Sequence, residues 1–542
     1  MRRLSLKHGI QLSAFLALPD EILDEIVSEL DQHRDLVSFA LTSKACAATV
    51  IPHHTQYRIL RVRHTLPDMW AHLARRSDLA RNVREVHICE RHNYGMPDHY
   101  PTTLIDKALD GNLENAEESV RIRNLCLALG HMQDLRVFSW SWRDITGFQR
   151  PTSHPAHENA VLTAVARLPR LETLSLNGRF AMHAMHSALD PKSLQYPVWR
   201  VANLQSLTLS GDTWSKIGNA KHLVHLLSQS PNLEYLEVPM EFVHLADCTL
   251  PKLKKLKLLM QAGASMAIDH SRARFLQNHP SIEELNWSPI GNPCIPPDTL
   301  PNLKSLVSNR QFIVALNDPG FGSTTSPNPS LSLLTPPSTP ISLSSPPSAP
   351  MPTPSDPDLA SLPPLPPTIT RPIESLDVAG LDAQMLLGLK CIDRSCLRKL
   401  KLHTFGDIST LHELAETFPN IEWLWLPPLH LPSDASYPVS LSREQWLEIL
   451  PRFTNLQVFR GPGLWSSIKN DKQTMHELLM DLIAFCPNLR EVDHCDFYEK
   501  FGAFKRVQIT RLEGEDGHQH VTYAVAKPNP RYPLDVMDGA FA

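Results

Sequence analysis

The sequence has no paired cysteine motif. Its nine cysteines are an odd number without a CxxC pair, and they stand at Cys46, Cys89, Cys126, Cys248, Cys294, Cys391, Cys396, Cys486 and Cys495. Disulfide frameworks and structural zinc sites need regular or closely spaced cysteines. The pattern therefore predicts reduced thiols, which are typical of proteins in the cytosol or nucleus.

A strong charge imbalance and long apolar runs are also missing. The 542 residues include 52 Lys and Arg against 57 Asp and Glu, which gives a formal net charge of -5. This balance provides no general attraction for nucleic acid or anionic lipid. No apolar run reaches the ~18 residues that cross a bilayer, and Gln11 and Ser13 interrupt the apolar N-terminal segment. We expect a cytoplasmic or nuclear protein that binds neither nucleic acid nor membrane.

Familiar catalytic motifs are absent too. His412-Glu413 and His476-Glu477 lack the second histidine of HExxH, and the chain has neither GxSxG nor GxxxxGK[ST]. The histidines show no metal-ligand spacing. We therefore expect no catalytic residue, no cofactor and no metal, and a hydrolase or transferase with a dispersed active site stays as the enzymatic alternative.

The sequence does contain a repeat. The pattern Leu-x-x-Leu-x-Leu follows helical segments, as in "LPRLETLSL" (168–176), "SPNLEYLEV" (230–238) and "FPNIEWLWL" (418–426). Its alternation predicts a short strand with one buried face. In the segments between copies, apolar residues recur at helical spacing, which predicts a helix. Stacked strand-helix units form a solenoid with a parallel sheet along its concave wall. The pattern resembles the irregular leucine-rich repeat and implies an α/β fold, with a non-repetitive α/β domain as the alternative.

Composition divides the chain into segments. Residues 317–372 are dominated by Pro, Ser and Thr, which predicts a disordered loop between two parts of one solenoid. Two strand-like segments around Gly514 to Gly517 predict a capping hairpin. The predicted order is a flexible N-terminus (1–12), a helical domain (13–58), a first solenoid part (80–316), the loop (317–372), a second solenoid part (373–498) and capping strands with a tail (499–542).

A short helical domain precedes the repeats. In "LPDEILDEIVSEL" (18–30) apolar residues recur every four positions, Pro19 suits the start of a helix, and "DLVSFALTSK" (35–44) adds a second helix. Three short helices bury too little area to be stable alone, so another surface must cover them. The segment resembles the F-box over residues 14 to about 55. A helical cap on the first repeat is the alternative.

The resemblance to F-box proteins implies a function. An F-box packs on a Skp-type adaptor and so attaches its protein to a cullin-RING ubiquitin ligase. The matching adaptor-binding positions are Leu18, Pro19, Ile22, Leu23, Ile26, Leu36 and Val37. The stretch from Thr42 to Cys46 lacks the tryptophan that many F-boxes carry after the second helix. We expect a non-catalytic receptor for an unknown protein substrate, and the alternative is a leucine-rich-repeat scaffold outside any ligase.

The parity of the repeats predicts a substrate surface. If the second and third leucines of each copy point inward, the residues that alternate with them lie on the concave wall. Trp423 and Trp425 should then be exposed beside Lys399 and Lys401, which favours cation-π contact, and Tyr235 lies on the same wall. We expect substrate to bind these five residues, because tryptophan is frequent at interface hot spots. A C-terminal segment folded over the tryptophans is the alternative.

The Pro-rich loop carries candidate phosphorylation sites. Ser326, Thr335, Thr339, Ser345 and Thr353 each precede a proline, and a proline-directed kinase would add about -2 charge at each. The stretch "LLTPPSTP" (333–340) resembles a phosphodegron read by WD-repeat F-box proteins. The stretch "LPPLPP" (362–367) predicts a polyproline II segment for an SH3-like partner.

Overall fold

A computed structural model describes most of the chain outside the predicted loop. The five candidate phosphorylation sites of that loop lie outside the described residues. The described residues are 18–30, 33–51, 54–62, 66–89, 99–101, 118–141, 155–178, 180, 196–211, 214, 220–239, 245, 248–259, 270–289, 293, 295–296, 299–317, 370–405, 408–426, 441–465, 468, 471–498, 503–513 and 519–526.

The chain begins with a three-helix unit, made of α1 (Asp20–Ser28), α2 (His33–Ala40) and α3 (Lys44–Val50). Helix α1 starts directly after Pro19, and the Ser43 side chain caps α3 by accepting a hydrogen bond from the amide of Cys46 at 3.1 Å. A small apolar core closes the unit, built from Val27, Leu36, Ala40 and Val50.

A sheet of 16 strands follows, and the strands lie side by side in the order of the sequence. The first fourteen strands run parallel, and the last two are antiparallel. The three repeats quoted above form β4, β6 and β12. The strands are β1 (Ile59–Val62), β2 (Glu85–Cys89), β3 (Val137–Ser141), β4 (Thr173–Asn177), β5 (Ser206–Ser210), β6 (Tyr235–Val238), β7 (Lys255–Leu258), β8 (Glu284–Asn286), β9 (Ser305–Ser308), β10 (Ser375–Val378), β11 (Lys399–Leu402), β12 (Trp423–Trp425), β13 (Val458–Arg460), β14 (Glu491–Tyr498), β15 (Ala503–Glu513) and β16 (Gln519–Ala526).

Described α-helices lie in most of the connections between parallel strands, which is the usual way to join such strands. The repeat leucines, such as Leu174 and Leu176 in β4, are fully buried in one continuous core. The helices after the three-helix unit are α4 (Pro67–Arg75), α5 (Ser77–Ala80), α6 (Glu118–His131), α7 (Pro155–Val165), α8 (Ala220–Ser228), α9 (His270–Asn278), α10 (Arg310–Asn317), α11 (Ala383–Gly388), α12 (Ile408–Thr417), α13 (Arg443–Ile449) and α14 (Lys472–Phe485). None of the helices in the described ranges is long and apolar enough to span a membrane.

One backbone position recurs just before the strands. The carbonyl of Glu172 accepts amide hydrogen bonds from Gln205 and Ser206 of the next repeat, at 2.8 and 3.0 Å. The carbonyls of Arg58, Arg84 and Arg398 do the same in their repeats. We call this place the ladder position, because it joins each repeat to the next.

The predicted α/β architecture with a long parallel sheet is confirmed. The sheet begins earlier than the predicted residue 80, since β1 pairs with β2 through Ile59 and Glu85. It also continues across residues 317–372, because Ser305 of β9 is in register with Ser375 of β10. Two antiparallel strands, β15 and β16, occupy the segment for which the sequence predicts a capping hairpin.

Candidate functional site

Two surfaces carry the residues that the sequence singles out. The first lies on α1 and α2, where large apolar side chains stay at the surface: Ile22 is 48%, Val37 40% and Leu41 82% exposed. Ile26 is also exposed and lies one turn of α1 beyond Ile22. We call these exposed residues of the first two helices, together with Leu18 and Pro19 before α1, the apolar face. It comprises Leu18, Pro19, Ile22, Ile26, Val37 and Leu41.

Two of the predicted adaptor-binding residues do not belong to this face. Leu23 and Leu36 are buried in the three-helix unit, so they are not at its surface, and their role as adaptor contacts stays a prediction. They lie one residue away from exposed positions, and a shift of one residue turns a helical side chain by about 100°. Sequence reasoning also missed Leu41, which directly follows α2 and whose amide donates to the Val37 carbonyl at 3.0 Å.

The opposite side of α1 is polar and faces the start of the sheet. The Asp24 carboxylate lies 2.8 Å from His54 Nε2 and 2.5 Å from Arg81 Nη2. At the C-terminal end of α1, Arg84 Nη2 donates to the Ser28 carbonyl at 3.1 Å, and Arg58 donates to the carbonyls of Ser28 and Leu30. Asp24 lies about 160° around the helix from Ile22 and Ile26. The polar contacts therefore leave the apolar face pointing outward.

The second surface is the sheet face that alternates with the buried leucines, which we call the open face. Here Lys401 Nζ lies 5.7 Å from the centre of the Trp425 ring and 3.1 Å from Asp377 Oδ2. His403 Nε2 lies 2.7 Å from Asp377 Oδ1, and its ring centre is 5.6 Å from that of Trp425. We call Asp377, Lys401, His403 and Trp425 the wall cluster.

The register of the strands explains the wall cluster. Asp377 of β10, Lys401 of β11 and Trp425 of β12 are direct neighbours across the sheet. Adjacent strands lie about 4.8 Å apart, so a carboxylate, an ammonium and an indole meet side by side. The cation-π pair of Lys401 and Trp425 thus lies where parity predicts it.

Trp423 differs from its prediction. Its side chain is only 6% exposed, so the expected exposure of this tryptophan is wrong. It lies in the sheet between Lys399 of β11 and Val458 of β13, and side chains on both neighbouring strands limit its access to solvent. Lys399 and Trp425 are half-buried, so Trp425 is the accessible aromatic residue of this strand.

Tyr235 and the charges around it form internal pairs. The Tyr235 hydroxyl donates to Glu237 at 2.5 Å, and burial together with this bond raises the pKa of the phenol above its usual value. Lys257 lies 3.2 Å from Glu237, and Lys255 lies 2.7 Å from Glu284. This part of the open face therefore compensates its own charges, which leaves little net field for attracting a charged partner.

The C-terminal strands continue the sheet beside the tryptophans. Strand β15 pairs with β14 and β16 pairs with β15, so the described C-terminal residues lie beyond β14 in the sheet order. A buried ion-pair network fixes this end, since Arg460 and Arg506 share the Glu491 carboxylate at 2.7 and 2.9 Å. In the described part of the chain, no strand lies over Trp425 in the way that the alternative required.

One group of side chains within the described ranges brings metal-type donors together. Ligand atoms of His494, Cys495 and Asp496 lie within 4.8 Å of one another. Lys505 already binds Asp496 at 2.7 Å, and His494 Nδ1 accepts the amide hydrogen of Asp496 at 3.0 Å. Burial and the nearby Asp496 carboxylate raise the pKa of the Cys495 thiol, which disfavours the thiolate that a metal needs. Hydrogen bonds within the chain therefore account for this group.

Comparisons with known proteins assign neither a family nor a function to this chain. No protein-family model matches the chain, and no curated protein matches it. Among solved structures, the chain is similar to the crystal structure of a TLR13-ssRNA13 complex, with 13% identity and a TM-score of 0.26. That match covers 71% of this chain and 40% of the other. A likeness at this score carries no argument, so the fold assignment depends on the strands and their register.

Proposed function

We propose that this protein is an F-box substrate receptor, which links a target protein to a cullin-RING ubiquitin ligase through a Skp-type adaptor. The observation that carries the proposal is the exposure of Ile22, Ile26, Val37 and Leu41, which lie on or directly after two helices that share one small apolar core. The same helices carry the sequence that resembles the F-box.

Exposed apolar side chains on a small unit favour a partner. Burial of apolar surface contributes about 25 cal/mol per Å², so covering Leu41 and its neighbours would supply binding free energy. Clustered apolar side chains at a protein surface commonly mark interaction sites. In the described part of the chain these side chains remain exposed, which leaves the apolar face available for an adaptor.

The proposed substrate site is the open face around the wall cluster. Trp425 is half-buried, and Lys401, with a side chain 27% exposed, lies beside it. A tryptophan next to a cation suits a protein-protein hot spot, in which one aromatic residue often contributes much of the affinity. The proposed substrate contacts are therefore centred on Trp425, with Lys399 and Lys401 on the neighbouring strand. Tyr235 lies on the same open face but in β6, six strands away in the sheet order.

The chain would act by proximity and without a catalytic residue of its own. An adaptor on the apolar face and a target on the open face are held by one polypeptide, so ubiquitin transfer becomes effectively intramolecular within the ligase. The Pro, Ser and Thr content of residues 318–369 predicts an insertion that a kinase could reach, and this prediction lies outside the described residues. Phosphorylation at Thr335 and Thr339 would then make the receptor a substrate in turn.

The test is affinity purification of the full chain from cells. The variant Ile22→Asp with Val37→Asp places two charges on the apolar face, and the matched control is Leu127→Asp on α6. Leu127 is an exposed leucine outside the apolar face. We expect wild type and the control to retain adaptor and cullin, and the double variant to lose both.

Thermal unfolding checks that each variant folds. Equal recovery of adaptor and cullin with all three proteins would overturn the F-box assignment. Recovery of the adaptor without cullin would instead favour a scaffold role outside the ligase.

A further inference from the structure

The ladder position changes its role at the start of the sheet. Arg398 is typical of later repeats, since its Nη1 lies 3.5 Å from Glu422 of the neighbouring repeat and its side chain is exposed. Arg58 and Arg84 hold the same position in the first repeats, and their carbonyls join the sheet in the same way. Their guanidinium groups, however, bind the end of α1.

The chemistry of a helix end explains this contact. The last carbonyls of a helix have no partner within it and carry partial negative charge. Helix α1 has no basic residue in its last turn, so the positive donors come from the sheet. Arg58 is only 2% and Arg84 6% exposed, which places both charge-assisted hydrogen bonds out of water.

A second contact prevents rotation of the helix. Asp24 lies one turn before Ser28 and is bound by Arg81, at 2.5 Å, and by His54, at 2.8 Å. Arg84 also lies 3.3 Å from Asp134, which orients its guanidinium from the sheet side. Two contacts separated along one helix fix its rotation as well as its position.

We propose that Arg58 and Arg84 are positioning residues, which set the direction of the apolar face relative to the open face. This inference rests on the proposed function for its biological meaning, because the two faces would hold adaptor and target. A fixed direction would keep target lysines within reach of the ligase, as proximity catalysis requires.

The test measures distances in the full chain. Spin labels are introduced as noncanonical residues at Lys44, which is exposed on α3, and at Val120, which is exposed on α6. Pulsed electron paramagnetic resonance then gives the distribution of distances between the three-helix unit and the repeats. We expect one narrow distribution for wild type and a distribution at least twofold broader for Arg58→Met with Arg84→Met.

The matched control is Arg398→Met, which makes the same substitution at the same ladder position. We expect its distribution to stay narrow. An unchanged width in the double variant would overturn the proposal. If circular dichroism shows that the double variant is unfolded, Arg84→Lys is measured instead, because lysine keeps the charge but loses the planar pair of donors. A width equal to wild type in that variant would also overturn the proposal.

Addition of purified Skp-type adaptor separates this inference from the proposed function. If the adaptor binds wild type and the double variant, and only the variant has a broadened distance distribution, the result supports both the proposed function and the positioning role. Failure of wild type to bind the adaptor would overturn the proposed function, while the distance distributions would still decide whether Arg58 and Arg84 position the unit.

Discussion

Arg371 donates to the carbonyl of Leu316 at 3.1 Å, although 55 residues separate them. Leu316 lies in the last turn of α10, and Arg371 is a buried residue near the end of the range 317–372 that the sequence predicts as a loop. The predicted loop is therefore too long at both ends, since Asn317 belongs to α10. The same guanidinium donates twice to the Thr299 carbonyl, at 3.2 and 3.0 Å. One buried side chain therefore holds together the two ends of the segment.

Removal of this guanidinium should destabilise the protein. Arg371→Met keeps an apolar stem but leaves the carbonyls of Leu316 and Thr299 without these buried donors, so we expect a loss of about 2–4 kcal/mol in the free energy of unfolding. Urea denaturation measures the change. Arg452→Met, which removes an exposed arginine paired with Glu416 and Glu448, should cost less than about 1 kcal/mol. Similar losses in the free energy of unfolding for the two variants would show that the buried hydrogen bonds of Arg371 stabilise the protein no more than an exposed ion pair does.

Replacement of residues 318–369 by a short Gly-Ser linker should leave the fold intact. Strands β9 and β10 are already neighbours, and Arg371 holds the flanking ends. The composition of the segment predicts a flexible loop, and shortening such a loop fourfold lowers the entropic cost of closing it by about 1.2 kcal/mol. We therefore expect an equal or higher unfolding temperature. Differential scanning calorimetry makes the comparison. A large drop in unfolding temperature would mean that the segment contributes to the folded structure.

Much of the fold could be predicted from the sequence, because alternation of leucines is a local signal. The strand at Leu174 and Leu176 follows from spacing alone, since those side chains must leave water together. The repeat pattern does not predict strand β1, because "ILRV" (59–62) is short and lacks the preceding leucine of the repeat. Its place depends on pairing with β2, which is a nonlocal contact.

The sites were harder to predict than the fold. Parity placed Lys401 beside Trp425, but it also predicted that Trp423 is exposed, because parity says which face a residue takes and nothing about its neighbours. Asp377 lies on the preceding strand, β10, and His403 directly follows β11. Only the register of the strands and the contact between His403 and Asp377 bring these two residues to Lys401 and Trp425. The binding of α1 by Arg58 and Arg84 has no local pattern at all, since it links residues 28 to 56 positions apart.

Trp425→Ala should weaken substrate capture without unfolding the protein. Trp425 is half-buried on the open face, so its loss removes an aromatic contact while the repeat leucines below stay in place. We expect about a 10-fold or greater loss in proteins retained when ligase activity is blocked, as measured by quantitative mass spectrometry. Phe485→Ala, which alters an exposed aromatic residue of α14, serves as the control. An unaltered set of retained proteins would show that substrate binds elsewhere.

Acid should destabilise the protein partly through His279. This side chain is buried, its Nδ1 donates to the Phe275 carbonyl at 2.6 Å, and its Nε2 accepts the Leu250 amide at 2.9 Å. Burial lowers the pKa of His279, so below about pH 6.5 the unfolded chain binds a proton that the folded chain resists. The stability that this group contributes is complete above that pH and falls as the pH drops toward the folded pKa.

His279→Gln should therefore make stability less sensitive to acid. Glutamine keeps an acceptor for the Leu250 amide, so we expect a modest loss at pH 7.5 and a shallower decline between pH 6.5 and 5.5, measured by urea unfolding. Burial lowers the pKa of His222 and His494 as well, so the variant should reduce the slope without removing it. An identical slope in wild type and variant would mean that His279 takes up its proton equally in the folded and unfolded chains.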